Sequence, residues 1–131
     1  MGCKNFAALG KKILDKENLK ILISCGPGES AIMEECKNLA KDRFMYLPQF
    51  GLRHLASFLK KADLCISNDT GILHIAAAVR SSTIGLFGPT FAARWNPIGR
   101  NNLYIQSATD NINDISVDAV MDKVDEIMQL G

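Results

Sequence analysis

Apolar and polar positions along this chain switch repeatedly between a helical period and short continuous apolar runs. Residues 5–17 put Phe6, Leu9 and Ile13 on one stripe and Lys11, Lys12, Asp15 and Lys16 off it, which predicts an amphipathic helix with Asn5 as its cap. Residues 19–25 are apolar almost throughout after Lys20, the pattern of a strand covered on both faces. The turn Gly26-Pro27-Gly28-Glu29-Ser30 follows, then a helix to about residue 41 with Ile32, Cys36 and Leu39 inward. A short strand over 44–47 closes in Pro48-Gln49-Phe50-Gly51, and Leu52, Leu55, Ala56 and Leu59 mark a third helix. A strand over 63–67, a helix over 71–80 and a strand over 83–87 come next. Residues 91–101, with Trp95, Pro97 and Gly99, read as an ordered loop before a last strand at 103–106. Ser116 should cap a final helix whose Val117, Val120, Met121, Val124, Ile127 and Met128 share one face. Strands alternating with helices predict an α/β domain, a Rossmann-like parallel sheet flanked by helices. The chain opens on a helix where a doubly wound domain opens on its central strand, so the sheet is expected to lack its first strand.

The polar stretch Asn68-Asp69-Thr70-Gly71, followed by Ile72, Leu73 and His74, stands where a buried strand hands over to a helix that is apolar at every position to Val79 except His74. That uniformity predicts a helix packed on most sides. Such a junction lies on the carboxyl edge of a parallel sheet, where ligands bind. Thr70 or Asp69 could cap the helix, leaving the N–H groups of Gly71, Ile72 and Leu73 to face an anion. Two other strand ends, Gly26 to Ser30 and Gly88 to Thr90, should fall on the same edge.

Length and composition narrow the classes. The 131 residues suit one domain over 1–131, and 47% apolar with 22% charged residues is ordinary for a folded globular chain. A net charge of +1 and the lack of a basic run argue against nucleic acid as partner. No apolar run approaches the ~18 residues of a membrane span, and residues 1–20 do not read as a signal peptide. Cys3, Cys25, Cys36 and Cys65 show no CxxC spacing and no cluster with the two histidines, so buried reduced thiols are expected in a cytoplasmic protein.

Several residues allow two readings. Gly26-Pro27-Gly28 lacks the third glycine of a dinucleotide fingerprint and serves a tight turn as readily as a phosphate. Glu29 is either a charge favoured at a helix start or an acceptor for a ribose diol. Asp69 either caps its helix or points at hydroxyls. His74 is either a satisfied core histidine or, at i+4 from Thr70, part of the face that carries the cap. Trp95 could be core, a stacking partner or a domain contact. Asp69-Thr70-Gly71 is also the triplet of aspartic proteases, but those enzymes hold it in a β-rich fold with a second catalytic carboxylate, and here a long apolar helix follows at once.

Taken as an ordered set, Cys25-Gly26-Pro27-Gly28-Glu29, residues 55–62, Asn68 to Gly71 with His74 and residues 76–78, and Leu86-Phe87-Gly88-Pro89-Thr90 with Trp95 and Pro97 resemble the ADP-heptose:lipopolysaccharide heptosyltransferases, glycosyltransferase family nine. The resemblance runs over about residues 6–130. It implies the C-terminal, sugar-nucleotide-binding half of a two-domain GT-B enzyme, with the acceptor half absent. It places the family's D-T-G-x-x-H motif on Asp69, Thr70, Gly71 and His74, its ribose glutamate on Glu29, a residue near the adenine on Phe50, and its G-P-T loop on Gly88 and Thr90. It implies ADP-heptose as donor, the lipopolysaccharide core as acceptor through the missing N-terminal domain, inversion at the anomeric carbon and no cofactor or obligatory metal. The full-length enzyme would be cytoplasmic, peripheral to the inner membrane, and the isolated chain inactive. Phe91 and Ala92 depart from the acid and proline that the family often carries after G-P-T. The alternative is a non-catalytic nucleotide-binding module or degenerate fragment.

Overall fold

A computed structural model describes residues 1–16, 19–26, 28–40, 43–48 and 51–130. The chain divides into two compact units, Gly2–Phe50 and Gly51–Gly131 with Met1.

In the first unit, α1 (Cys3–Lys16) packs on α2 (Ser30–Ala40), and β1 (Leu22–Ile23) pairs in parallel with β2 (Met45–Tyr46). Ala7, Leu9 and Ile13 of α1 are buried, with Phe44 beneath the helix. A Cβ on Gly10 would collide with the Phe44 ring, so the missing side chain is what lets the ring in. Four sequence expectations fail in this unit. Asn5 is not a cap, because the helix starts earlier and the Asn5 N–H already donates to the Gly2 carbonyl at 3.1 Å. The strand expected over 19–25 makes only a two-residue ladder with Leu22 exposed, and of the three inward positions of α2 only Cys36 is buried, Ile32 and Leu39 being exposed. Cys36 is also not a free thiol. The packing of α1 on α2 brings the Cys3 and Cys36 Cα atoms to 5.7 Å, and the two sulfurs form a disulfide, whereas Cys25 and Cys65 are free.

The second unit is a parallel three-stranded sheet in the order β3 (Leu64–Asn68), β4 (Ser82–Phe87), β5 (Asn102–Gln106). Register pairs Asn68 with Leu86 and Phe87 with Gln106, so all three carboxyl ends lie side by side. Residues 83–87 are buried at every position, Thr83 included, as expected for a central parallel strand covered on both faces. α3 (Leu52–Lys61) and α4 (Gly71–Ala78) pack together over β3 through Leu59, Cys65 and Ala76, while Leu52 is exposed at the helix start. α6 (Val117–Leu130) covers β4 and β5 with Val120, Val124 and Ile127, and the Ser116 hydroxyl accepts from the Ala119 N–H at 3.1 Å as its cap. α5 (Ala92–Trp95) is one short helical turn inside the segment expected to be loop, and a 3-10 turn at Ile112–Asp114 precedes α6. α4 is less enclosed than its composition suggests: Leu73 and Ala76 are buried, but His74 and Ala78 face outward. A parallel sheet with a helix directly after Asp69-Thr70-Gly71 is not the β-rich setting of an aspartic protease. Among the described residues no helix is long and apolar enough to cross a membrane.

Candidate functional site

The ladder between β3 and β4 runs one step past the strand, the Asp69 N–H donating to the Leu86 carbonyl at 3.1 Å. This sets Asp69 beside the turn that follows β4. There the Thr90 hydroxyl donates to the Asp69 carboxylate at 2.7 Å, so two of the three predicted strand ends are joined side chain to side chain.

Neither Asp69 nor Thr70 caps α4 as expected. Thr70 has the extended backbone of an N-cap residue, but its hydroxyl lies 3.0 Å from the Ser67 hydroxyl, and Asp69 is committed to Thr90. The Leu73 N–H is not offered outward either, since it donates to the Thr70 carbonyl at 3.2 Å. The Gly71 and Ile72 N–H groups have no acceptor among the described residues. They form the positive end of the helix, where an anion is favoured. Apart from its chain neighbours and the adjoining helix backbone, no atom of the described residues comes within 4 Å of a Cβ built on Gly71, and its φ is not in the left-handed region. Nothing in the fold requires glycine there; the space in front of the helix end is open. His74 is exposed rather than a core histidine, and its i+4 spacing puts it on the face of Thr70.

Gly88 is buried, and a Cβ there would stand 2.7 Å from the Ile112 nitrogen, so it is glycine because the 3-10 segment crosses it closely. Sequence reasoning missed Gln106. From the end of β5 its amide donates to the carbonyls of Gly88 at 3.0 Å and Thr90 at 3.1 Å, and its oxygen accepts from the Ala92 N–H at 2.8 Å. It therefore holds the turn that carries Thr90. The only signal was a lone amide closing an apolar strand.

In the unit Gly2–Phe50, the exposed Glu29 precedes α2. Its carboxylate accepts from the Gly26 N–H at 2.5 Å while its own N–H donates to the Gly26 carbonyl at 3.1 Å, closing the turn through Gly28 at φ 80°. Glu29 also lines a cleft of about 330 Å³ with Cys25, Met33, Lys37, Tyr46 and Pro48. The Lys37 ammonium sits 5.6 Å over the Tyr46 ring and 3.5 Å from Glu34. Burial, and next the Glu29 charge, push the Cys25 thiol up from its ordinary value. The cleft joins carboxylates and one ammonium to apolar walls, a lining that suits a polar ligand with a planar part. Phe50 and Pro27 lie outside the described residues.

Sheet, flanking helices and polar strand ends define a Rossmann-like domain of the GT-B type. The family model described as glycosyltransferase family 9 (heptosyltransferase) matches residues 3–124, and the chain belongs to that family. It is 30% identical over 115 residues to lipopolysaccharide heptosyltransferase 1 of Salmonella typhimurium, covering 86% of this chain and 35% of that protein. Lipopolysaccharide heptosyltransferase 1 of Escherichia coli is 30% identical over 97 residues, 72% of this chain and 30% of the relative. The solved structure of E. coli heptosyltransferase WaaC with ADP matches with a TM-score of 0.84 at 24% identity, over 95% of this chain and 39% of that one. The chain spans about a third of the length of these curated relatives.

Proposed function

We propose that this chain is the donor-binding, C-terminal half of an inverting heptosyltransferase that takes ADP-heptose and serves transfer of heptose to the lipopolysaccharide inner core in the cytoplasm. The acceptor would be held by an N-terminal half. The observation that carries the reading is the Asp69–Thr90 pair at the joined ends of β3 and β4, beside two N–H groups of α4 that have no acceptor among the described residues. A carboxylate aimed at the helix end would repel a diphosphate. Held by Thr90, Asp69 leaves the helix end to anionic oxygens and keeps its second oxygen for a sugar hydroxyl. Thr70 and Gly71 would then border the diphosphate, with His74 on the same helix face, and Gly88 would shape the turn that presents Thr90. Glu29 would accept from the ribose diol, and Phe50 would lie near the adenine. The N–H groups of α4 would stabilise charge growing on the departing diphosphate, an electrostatic role that uses no proton transfer by this chain.

Calorimetry tests this: ADP should bind in preference to UDP and GDP. Losing a hydrogen bond to a charged group costs about 1.5–3 kcal/mol, so Glu29→Ala should weaken ADP on the order of tenfold or more. Equal affinity in wild type and variant would remove Glu29 from the site. A second reading, a module that binds nucleotide without turnover, is favoured by Phe91 and Ala92 standing where the family often has an acid and a proline. A transfer assay separates the two.

A further inference from the structure

The two helices of the unit Gly2–Phe50 are anchored unequally. α1 buries Ala7, Leu9 and Ile13 and closes over Phe44. Among the described side chains of α2, Cys36 alone is buried, at 5% exposure, and Met33 is half-buried. The one covered residue of α2 is therefore also its half of the bridge to Cys3. Apolar burial is what ordinarily holds a helix on its neighbours, so α2 depends on a covalent bond for what α1 gains from packing. The bridge is open to reagents from one side, since Cys3, the first residue of α1, is only half-buried.

α2 is also one wall of the cleft. Met33, Glu34 and Lys37 line it from this helix, and Glu29 stands just before the first turn. The facing wall is tied to the bridged residue itself: the Tyr46 hydroxyl donates to the Cys36 carbonyl at 3.5 Å, and the Lys37 ammonium lies over the Tyr46 ring. We propose that the Cys3–Cys36 bridge is a redox latch that holds α2 where the cleft is formed, so that a dithiol reductant lowers ligand affinity and a disulfide oxidant restores it. The ligand half of this proposal rests on the donor-binding role proposed for the chain. A thiolate of the reductant attacks the Cys3 sulfur, the S–S bond breaks, and Cys36 leaves as a thiolate that takes up a proton. The second thiol of the reductant then displaces Cys3 and closes the reductant's own disulfide, so two electrons and two protons pass to this chain. In the cytoplasm proposed for this chain, disulfides are usually transient and redox-sensing, which suits a bridge placed on one helix of a binding cleft.

The full chain is compared in its oxidised form and after reduction with dithiothreitol. Amide hydrogen exchange should quicken across residues 33–39 of α2 on reduction and stay unchanged across residues 7–13 of α1. Iodoacetamide labelling with peptide mapping should modify Cys25, a free thiol in the cleft, several-fold faster in the reduced form. ADP should bind the reduced form on the order of tenfold more weakly, as for a cleft formed about a tenth of the time, and oxidised glutathione should restore the affinity. Cys3→Ser should bind as the reduced wild type does and ignore reductant. Exchange across α2 that is the same in both forms overturns the proposal. Equal loss of protection across α1 and α2 overturns it as well, since the bridge would then hold the whole unit rather than one helix. So does ADP bound equally by the two forms. ADP bound by neither form, with exchange and labelling still responding to reduction, removes the donor-binding role and supports the latch.

Discussion

The same substitution at Gly71 and at Gly88 should act in opposite directions on stability, and only the first should act directly on the ligand. At Gly71 an added methyl enters open space on a backbone that is not left-handed. Replacing glycine by alanine at a compatible site stabilises by about 0.4–1 kcal/mol, chiefly by restricting the unfolded chain. Gly71→Ala should therefore leave the unit as stable as wild type or somewhat more so. At Gly88 the methyl would stand 2.7 Å from the Ile112 nitrogen and 2.9 Å from its Cβ. The nearer obstacle is backbone and cannot rotate away, so overpacking should cost about 1–3 kcal/mol. Binding separates the two residues further. The Gly71 methyl would occupy the approach to the helix end, and losing a hydrogen bond to a charged oxygen there costs about 1.5–3 kcal/mol, on the order of ten- to a hundredfold in Kd. Urea unfolding followed by circular dichroism, with ADP calorimetry on the same preparations, reads both effects. A Gly71→Ala protein that binds ADP as tightly as wild type would falsify the idea that the diphosphate sits against α4. A Gly88→Ala protein with an unchanged urea midpoint would remove the packing argument.

Three further outcomes are expected. The Cys3–Cys36 bridge closes a loop across a sequence separation of 33, which by chain entropy stabilises by about 3–4 kcal/mol; dithiothreitol should lower the urea midpoint and raise the titratable thiols of the unfolded chain from two to four, and a midpoint indifferent to reductant would show the bridge to be energetically idle. Burial pushes the Cys65 thiol up to about 11, above its unfolded value, so its contribution is complete below about pH 8.5 and is lost as pH rises toward 11, by roughly 2–3 kcal/mol. Urea midpoints between pH 8 and 11 should thus fall more steeply in wild type than in Cys65→Ala, and parallel curves would exclude this thiol. In a longer polypeptide that also carries an acceptor half, Asp69→Ala should abolish most heptose transfer, and near wild-type rates would take Asp69 out of the site.

How far the sequence could be read depended on what each position's role required. Where burial alone was at issue the pattern sufficed: the strand expected over 83–87 lies within the buried central strand, and the stripe on α6 meets the sheet with Ser116 as its cap. Ile32, Cys36 and Leu39 make an equally good stripe, yet only Cys36 is covered, because periodicity says which residues share a face and not what opposes that face. The disulfide was silent for a related reason. A spacing of 33 carries no signal until α1 and α2 are packed.

Within the candidate site, residue types were legible but their relations were not. Asp69 and Thr90 each stood out, and the bond between them follows from register. Asn68 pairs with Leu86, so the residues just beyond both strands emerge together and the hydroxyl reaches the carboxylate. Because side chains alternate between faces, a slip of one residue would turn Cys65 and Ser67 out of the buried face of β3 and carry Asp69 away from Thr90. Packing on that face therefore holds the site in register. Gln106 extends the same logic one strand further: paired with Phe87, it reaches back over Gly88 and Thr90, so a residue that need not touch any ligand decides where the Thr90 hydroxyl points.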